Sequence, residues 1–313
     1  MEELLQGYGV LQGNGVVTTP IYAACAMDIN NSMVTGNICA VNDLLQQGRI
    51  SDPAAAQTSK DIDMDSPDIS KHDILIHGDL GTREHLQGAQ LCCSIESTPW
   101  NCLQHIIFIL GLFHLKMACA DALWRCFIYP LTTCEDETSL MHNIAQIQPK
   151  ETRIYSTKPG FRCMHQLIGH VGICHRLNCW WVHTANKGYD SLNTFATSNP
   201  TFDDLKAMAE EMVHIYIATH RLQRMHRKPM KECDLQFKNA LLLNKYFLLY
   251  EELSHVMNNG NIGQVEMSIV SWIPILKAIG KHKYVTHMAN FLINVHFVYP
   301  AGLRSVTDSL STY

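Results

Sequence analysis

The run Ile74-Leu75-Ile76, cut off by His77-Gly78-Asp79-Leu80, constrains this chain more than any other stretch. Consecutive branched apolar residues between polar flanks are the pattern of a short strand buried on both faces. Such strands belong to parallel sheets covered by helices. In open α/β sheets the carboxyl ends of the strands face the crevice where ligands bind. Asp79 stands at that end, which makes it the first candidate catalytic residue. Downstream, residues 82–90 have helical spacing, and Thr98-Pro99 marks a turn. Residues 104–110 (QHIIFIL) then read as a second strand, broken by Gly111. A helix over 113–127 follows, with Met117, Asp121 and Trp124 on one face and Pro130 as its stop. Strand, acid, helix, strand, helix is the order of a parallel α/β layer.

The flanks of this core differ from it. Residues 1–20 are rich in Gly and Gln and read as loop or frayed terminus. Residues 21–29 (IYAACAMDI) read as a strand, with a turn at Asn30-Asn31-Ser32 and a short helix at 41–47. The acidic segment that follows, up to Asp73, has the composition of a mobile linker. Beyond Pro130 the chain reads as almost wholly helical. Met164, Leu167, Ile168, Val171 and Cys174 recur at helical intervals. Thr201 and Asp204 form an acidic capping box ahead of Leu205, Met208, Met212 and Tyr216. Three more helices are expected at 233–257, 261–279 and 282–298, the second closed by Gly280 as a left-handed cap. The division expected is therefore an acidic, partly disordered leader (1–72), a core (73–130) and a helical region (131–313). The fold class is α/β, predominantly helical.

The chain's length of 313 residues allows one large domain or two ordinary ones. With 47% hydrophobic and 17% charged residues it has ample material for a core. Its longest apolar stretch, 106–113, is far short of the roughly 20 residues a membrane helix needs, so no membrane partner is expected. No basic segment followed by an apolar one opens the chain, so no signal peptide is expected. Twelve cysteines without a dense regular spacing read as reduced intracellular thiols, which places the chain in nucleus or cytoplasm. Residues 1–80 hold 11 acids and 3 bases, a net of −8, whereas the remainder holds 18 acids and 21 bases, a net of +3. The net charge of −5 argues against a general nucleic-acid binder and leaves room for a local basic groove.

Several constellations compete for the chemistry. Two-metal phosphoryl transfer needs acids from separate elements converging on Mg²⁺. Asp79, Asp28 at the end of the expected first strand, and Glu266 are the acids available. Glu266 lies three, four and seven residues before Ile269, Val270 and Ile273, and so shares their helix face. A buried acid there needs a partner or a metal. A second set, Cys163, His165, His170, Cys174, His175, Cys179 and His183, contains three residues spaced by four. That suits zinc, but no CxxC pair supports it, and among 17 His and 12 Cys such a run also arises from packing. The HGDL tetrapeptide is similar to the catalytic loop of small-molecule phosphotransferases, yet Glu84 stands where that loop carries a metal-binding Asn. The basic run 220–231 offers Arg221, Arg224, Arg227 and Lys228 as phosphate contacts for DNA or RNA, or as a solvated connection between helices. No Walker loop, Gly-x-Gly-x-x-Gly or Gly-x-Ser-x-Gly occurs.

Taken in order, Asn31-Ser32 with Gly36-Asn37, ILIHGDLGTRE, GLFHLKMACADALW, KPGFRCMH, GQVE and GKHKY resemble a large fungal family known only as a domain of unknown function. The resemblance runs from about Pro20 to Arg304, and because family members usually look longer at both ends, it implies that this chain is a fragment or a short gene model. More distantly, strand, Asp, helix, strand and His at a helix start resemble the ribonuclease H-like core of DNA transposases. That resemblance implies a small ribonuclease H-like sheet with a large helical insertion or extension. It also implies a Mg²⁺ site in which Asp79 is the middle acid, His114 orients the site and Glu266 is the last acid. Where relatives tend to carry Asp-Asn this chain has Asn30-Asn31, leaving Asp28 as the substitute first acid. The expectation is a transposase-derived domain with nuclease activity lost or undetermined, or else a non-catalytic module for protein or nucleic acid.

Overall fold

A computed structural model describes residues 22–30, 32–50, 73–127, 139–140, 146, 160–217 and 220–304. The fold is predominantly helical, and the sheet of the described residues has two parallel strands, β1 (Ile74–Gly78) and β2 (Ile106–Leu110). The register pairs Ile74 with Ile106 and Gly78 with Leu110. Parallel neighbours require a crossover, and the helix α2 (Leu80–Cys92) supplies it. β2 buries Ile106, Ile109 and Leu110, and β1 is half-buried along most of its length. Before them comes α1 (Val34–Gln47), and after them α3 (Leu112–Phe127). One apolar cluster joins α1, α2 and the entry to β2. Val41 and Leu45 of α1 pack with Leu86 and Ala89 of α2, and with Leu103 and Ile106 at the entry to β2.

The expected strand at 21–29 is not formed. Residues 22–30 have no regular structure, and Asp28 is exposed among them. In place of a neighbouring strand, the side-chain amide of Gln47 bonds this backbone. Cys25 N–H donates to Gln47 Oε1 at 2.6 Å, and Gln47 Nε2 donates to Cys25 O at 3.4 Å. A single amide satisfies one residue, and no ladder follows from it. Where the turn is expected, Asn30 Oδ1 accepts from Ser32 N–H and Oγ. The helix read at 41–47 begins seven residues earlier, at Val34. The loop and linker expected at 1–20 and 51–72 lie outside the described residues.

The chain divides into two compact units of discontinuous sequence. The first comprises residues 1–115, 260–263 and 283–313, and the second 116–259 and 264–282. The second holds most of the helices: α4 (Phe161–Asn186), α5 (Leu192–Thr197), α6 (Phe202–Tyr216), α7 (His220–His226), α8 (Leu235–Asn258) and nearly all of α9 (Ile262–Ala278). Here α4 packs against α8, α6 and α5. Its buried stripe is Met164, Leu167, Ile168 and Val171, whereas Cys174, expected on that stripe, is exposed. The capping box at α6 forms as expected, with Thr201 and Asp204 bonded reciprocally. Gly280 closes the turn after α9 at φ 80°. Helix α10 (His282–Ile293) belongs, from Lys283 on, to the first unit, and it runs into a π-helical turn at Asn294–Val298.

Candidate functional site

The carboxyl edge of the sheet is built by two glycines. Gly111 N–H donates to Gly78 O at 2.9 Å, drawing the two strand ends together. A Cβ placed on Gly111 would lie 2.8 Å from that same carbonyl oxygen, so the edge closes this tightly only without a side chain. Asp79 follows the first glycine and opens α2 as its N-cap, while His114 sits in the first turn of α3. Both candidates from this part of the sequence therefore stand at one edge, as the strand–acid–helix pattern leads one to expect.

Asp79 is held by Thr82. Its Oδ1 accepts from Thr82 N–H at 2.8 Å and from Thr82 Oγ1 at 2.9 Å. These bonds favour the charged form and draw the carboxyl below its usual range, the backbone bond contributing most. A smaller electrostatic contribution comes from His114. The site thus presents an exposed, ionised carboxylate beside a histidine at a helix N-terminus. Thr82 and the two edge glycines were missed by the reading of the sequence. The Asp-x-x-Thr spacing ahead of a helix is the signal that would have identified the cap.

The other candidate acids are placed differently. Glu266 is carried by α9 in the second unit and is buried, at 7% exposure. The buried face of α9 is formed by Ile262, Val265, Ile269, Trp272 and Leu276, and Val270, expected on that face, is 51% exposed. Glu266 falls within this face and is not without interactions there. Glu84, the position that the phosphotransferase loop would use for metal, is bound to Lys283 with Oε1 and Nζ 2.6 Å apart. That ion pair holds its carboxyl low, and it occupies the group the phosphotransferase reading needs.

Among the described residues, no group of three or more His, Cys, Asp or Glu side chains could hold a metal ion. In α4 three of the side chains considered for zinc are engaged with other partners. His165 Nδ1 meets Tyr250 Oη at 2.9 Å, His183 Nε2 meets Glu211 Oε2 at 3.0 Å, and Cys179 Sγ accepts from Asn244 Nδ2 at 3.8 Å. The basic run forms α7 and the turn after it, between α6 and α8. Buried Leu222 anchors the segment, and Arg224, Arg227 and Lys228 are exposed. Arg221 lies in the same short helix. No described helix is long and apolar enough to cross a membrane.

Neither the curated proteins nor the solved structures contain a match to this chain. A family model does match, over residues 11–309, and it spans both units and the whole of the Asp79 edge. The chain belongs to this family, which is described as a family of unknown function (DUF6589).

Proposed function

We propose that this chain is a ribonuclease H-like, transposase-derived domain whose Asp79 edge binds a DNA or RNA backbone through Mg²⁺ rather than cutting it. The observation that carries this reading is the edge itself. An ionised Asp79 and His114 stand beside the adjoining carboxyl ends of two parallel strands, in the order that the transposase core uses. Mg²⁺ keeps several of its waters and takes only one or two protein carboxylates together with phosphate oxygens. One exposed carboxylate fits such a role. Cleavage demands more, because two metals need several converging acids, and one oxygen of Asp79 is already committed to Thr82. Glu266 and Asp28 are the remaining acids of the proposed set, and Arg224, Arg227 and Lys228, with Arg221, the proposed phosphate contacts.

The test uses D79N, which removes the charge and keeps a competent N-cap. Wild type is expected to melt higher when Mg²⁺ and an oligonucleotide are added together, and to leave the strand intact. D79N is expected to lose the Mg²⁺-dependent part of that shift. Strand cleavage abolished by D79N, H114A or E266Q would show an active nuclease. No shift with any strand would remove the nucleic-acid reading. The second reading, a protein-interaction module with structural acids, would then stand, favoured by the engagement of Asp79 Oδ1 as a cap.

A further inference from the structure

A second feature of the first unit has no part in the Asp79 edge. Between α1 and the turn that leads into β2 lies an open cavity of about 400 Å³. That is within the range of small-molecule sites, roughly 300–1,000 Å³. Its apolar walls are Ile38, Leu45, Ile50 and Leu103, and Trp100 adds an aromatic surface. Three carboxamides complete it: Asn42 and Gln46, one turn apart on α1, and Asn101 from the turn. None of the three side chains has a hydrogen-bond partner among the described residues, and no charged residue lines the cavity.

The turn that forms one wall is held rigidly. Leu103 is buried yet adopts φ 56°, a left-handed conformation that costs a residue with a Cβ free energy. Its neighbours fix it there. Cys102 N–H donates to Thr98 O, Leu103 N–H to Trp100 O and Gln104 N–H to Pro99 O. Trp100 is further braced by His105, stacked on it with ring centroids 4.3 Å apart and planes within 2°. Strained backbone held this way collects at binding sites.

We propose that this cavity binds an unpaired nucleobase. A ligand for it must be uncharged where it is held, because no ion lines the walls. It must be flat and apolar on its faces, to lie against Trp100 and the aliphatic side chains. It must also carry both donors and acceptors on its edge, to match three carboxamides. Bases meet all three conditions: they stack on aromatic side chains and bond to Asn and Gln through their edges. Sugars also use aromatic and amide partners, but they offer no second flat face to continue the Trp100–His105 stack. The base is either part of a single strand or free as a nucleoside. The inference deepens the nucleic-acid reading above and does not depend on Asp79.

The experiment measures binding of fluorescein-labelled single-stranded DNA and RNA twelve-mers by anisotropy, and of free nucleosides by saturation-transfer NMR. Wild type, N42A, Q46A and W100F are compared, without Mg²⁺. Single strands are expected to bind, and matched duplexes, whose bases are stacked away, to bind far more weakly. N42A and Q46A, both at exposed positions, should each weaken binding about tenfold, the scale of one good base contact. Binding confined to strands locates the base in nucleic acid, and binding of nucleosides alone locates it in a free ligand; either supports the cavity. The proposal is overturned if strands and nucleosides both fail to bind at millimolar concentration, if binding is indifferent to N42A and Q46A, or if simple glycosides bind instead. A Mg²⁺ shift lost in D79N, with no base binding, would leave the Asp79 reading standing and remove only this one.

Discussion

Asp79 has two duties in one carboxylate, and substitutions separate them. As an N-cap it satisfies Thr82 N–H, one of the four orphan donors that open every helix. D79A should therefore cost about 1 kcal/mol in chemical denaturation and D79N almost nothing, since Asn caps as well as Asp. Its folded-state pKa lies below the usual carboxylate value, so near that pH the unfolded chain binds more protons than the folded one. The stabilisation is complete above the unfolded pKa, about 3.9, and is lost as pH falls through the folded value. An NMR titration of the Asp79 carboxyl should give a midpoint below that reference, and a midpoint at or above it would show that the Thr82 bonds do not hold in solution. The site of Asp79 was legible because an apolar run ending in an acid marks a strand's carboxyl end. Its grip by Thr82 was legible in principle from spacing. The surroundings of Glu266 were not, because spacing within a helix gives its apolar stripe only to within a residue or so. Val270 and Glu266 differ by one turn, yet the first faces solvent and the second is buried.

At the scale of elements, local chemistry decided what could be read. The α6 capping box and the Gly280 turn depend on residues three or four apart, and both formed as expected. The strand at 21–29 depended on a distant partner, and its backbone found Gln47 instead. How α4 and α8 pair was equally hidden, since their contacts link residues far apart in sequence. Gly172 lies where these two helices pack, and a Cβ there would run into the carboxylate of Glu251. That carboxylate is bonded to Arg176 at 2.6 Å, so it cannot swing away without giving up the pair. G172A should lower stability by about 1–3 kcal/mol, the usual range for overpacking, although alanine is the better helix former. Combining G172A with E251A should recover part of the loss, because the obstructing group is then gone. Recovery is read from urea midpoints, and a G172A protein as stable as wild type would mean that α4 and α8 stand further apart than described.

At the scale of the whole molecule, charges and histidines drawn out of solvent set stability. Asp121, 3% exposed, holds Lys281 at 2.6 Å and Arg125 at 3.0 Å. Arg125 still holds Asp121 when Lys281 is removed, so K281M should cost somewhat less than the roughly 3 kcal/mol of a fully broken buried pair. D121N with K281M should cost much less, and urea denaturation of the two variants separates lost pairing from lost packing. Histidine burial acts on both units at once. His105, His165, His175 and His287 all have pKa values pushed below the usual histidine value, burial being the largest cause in each. His287 is the clearest case. It is 8% exposed, and Arg83 and Lys283 oppose its protonation while Glu84 favours it less strongly than burial disfavours it. A group whose folded pKa is depressed stabilises the fold fully above its unfolded pKa, near 6.5 for histidine, and loses that contribution as pH falls through the folded value. Since four groups act in the same direction, the melting temperature should drop steadily as pH is lowered from 7 to 5, before most carboxylates titrate. H287Q, neutral at every pH, should flatten part of this slope whatever it does to stability at pH 7.5. An equal melting temperature at pH 7 and 5, or an unchanged slope in H287Q, would mean that these imidazoles are solvated in the folded chain.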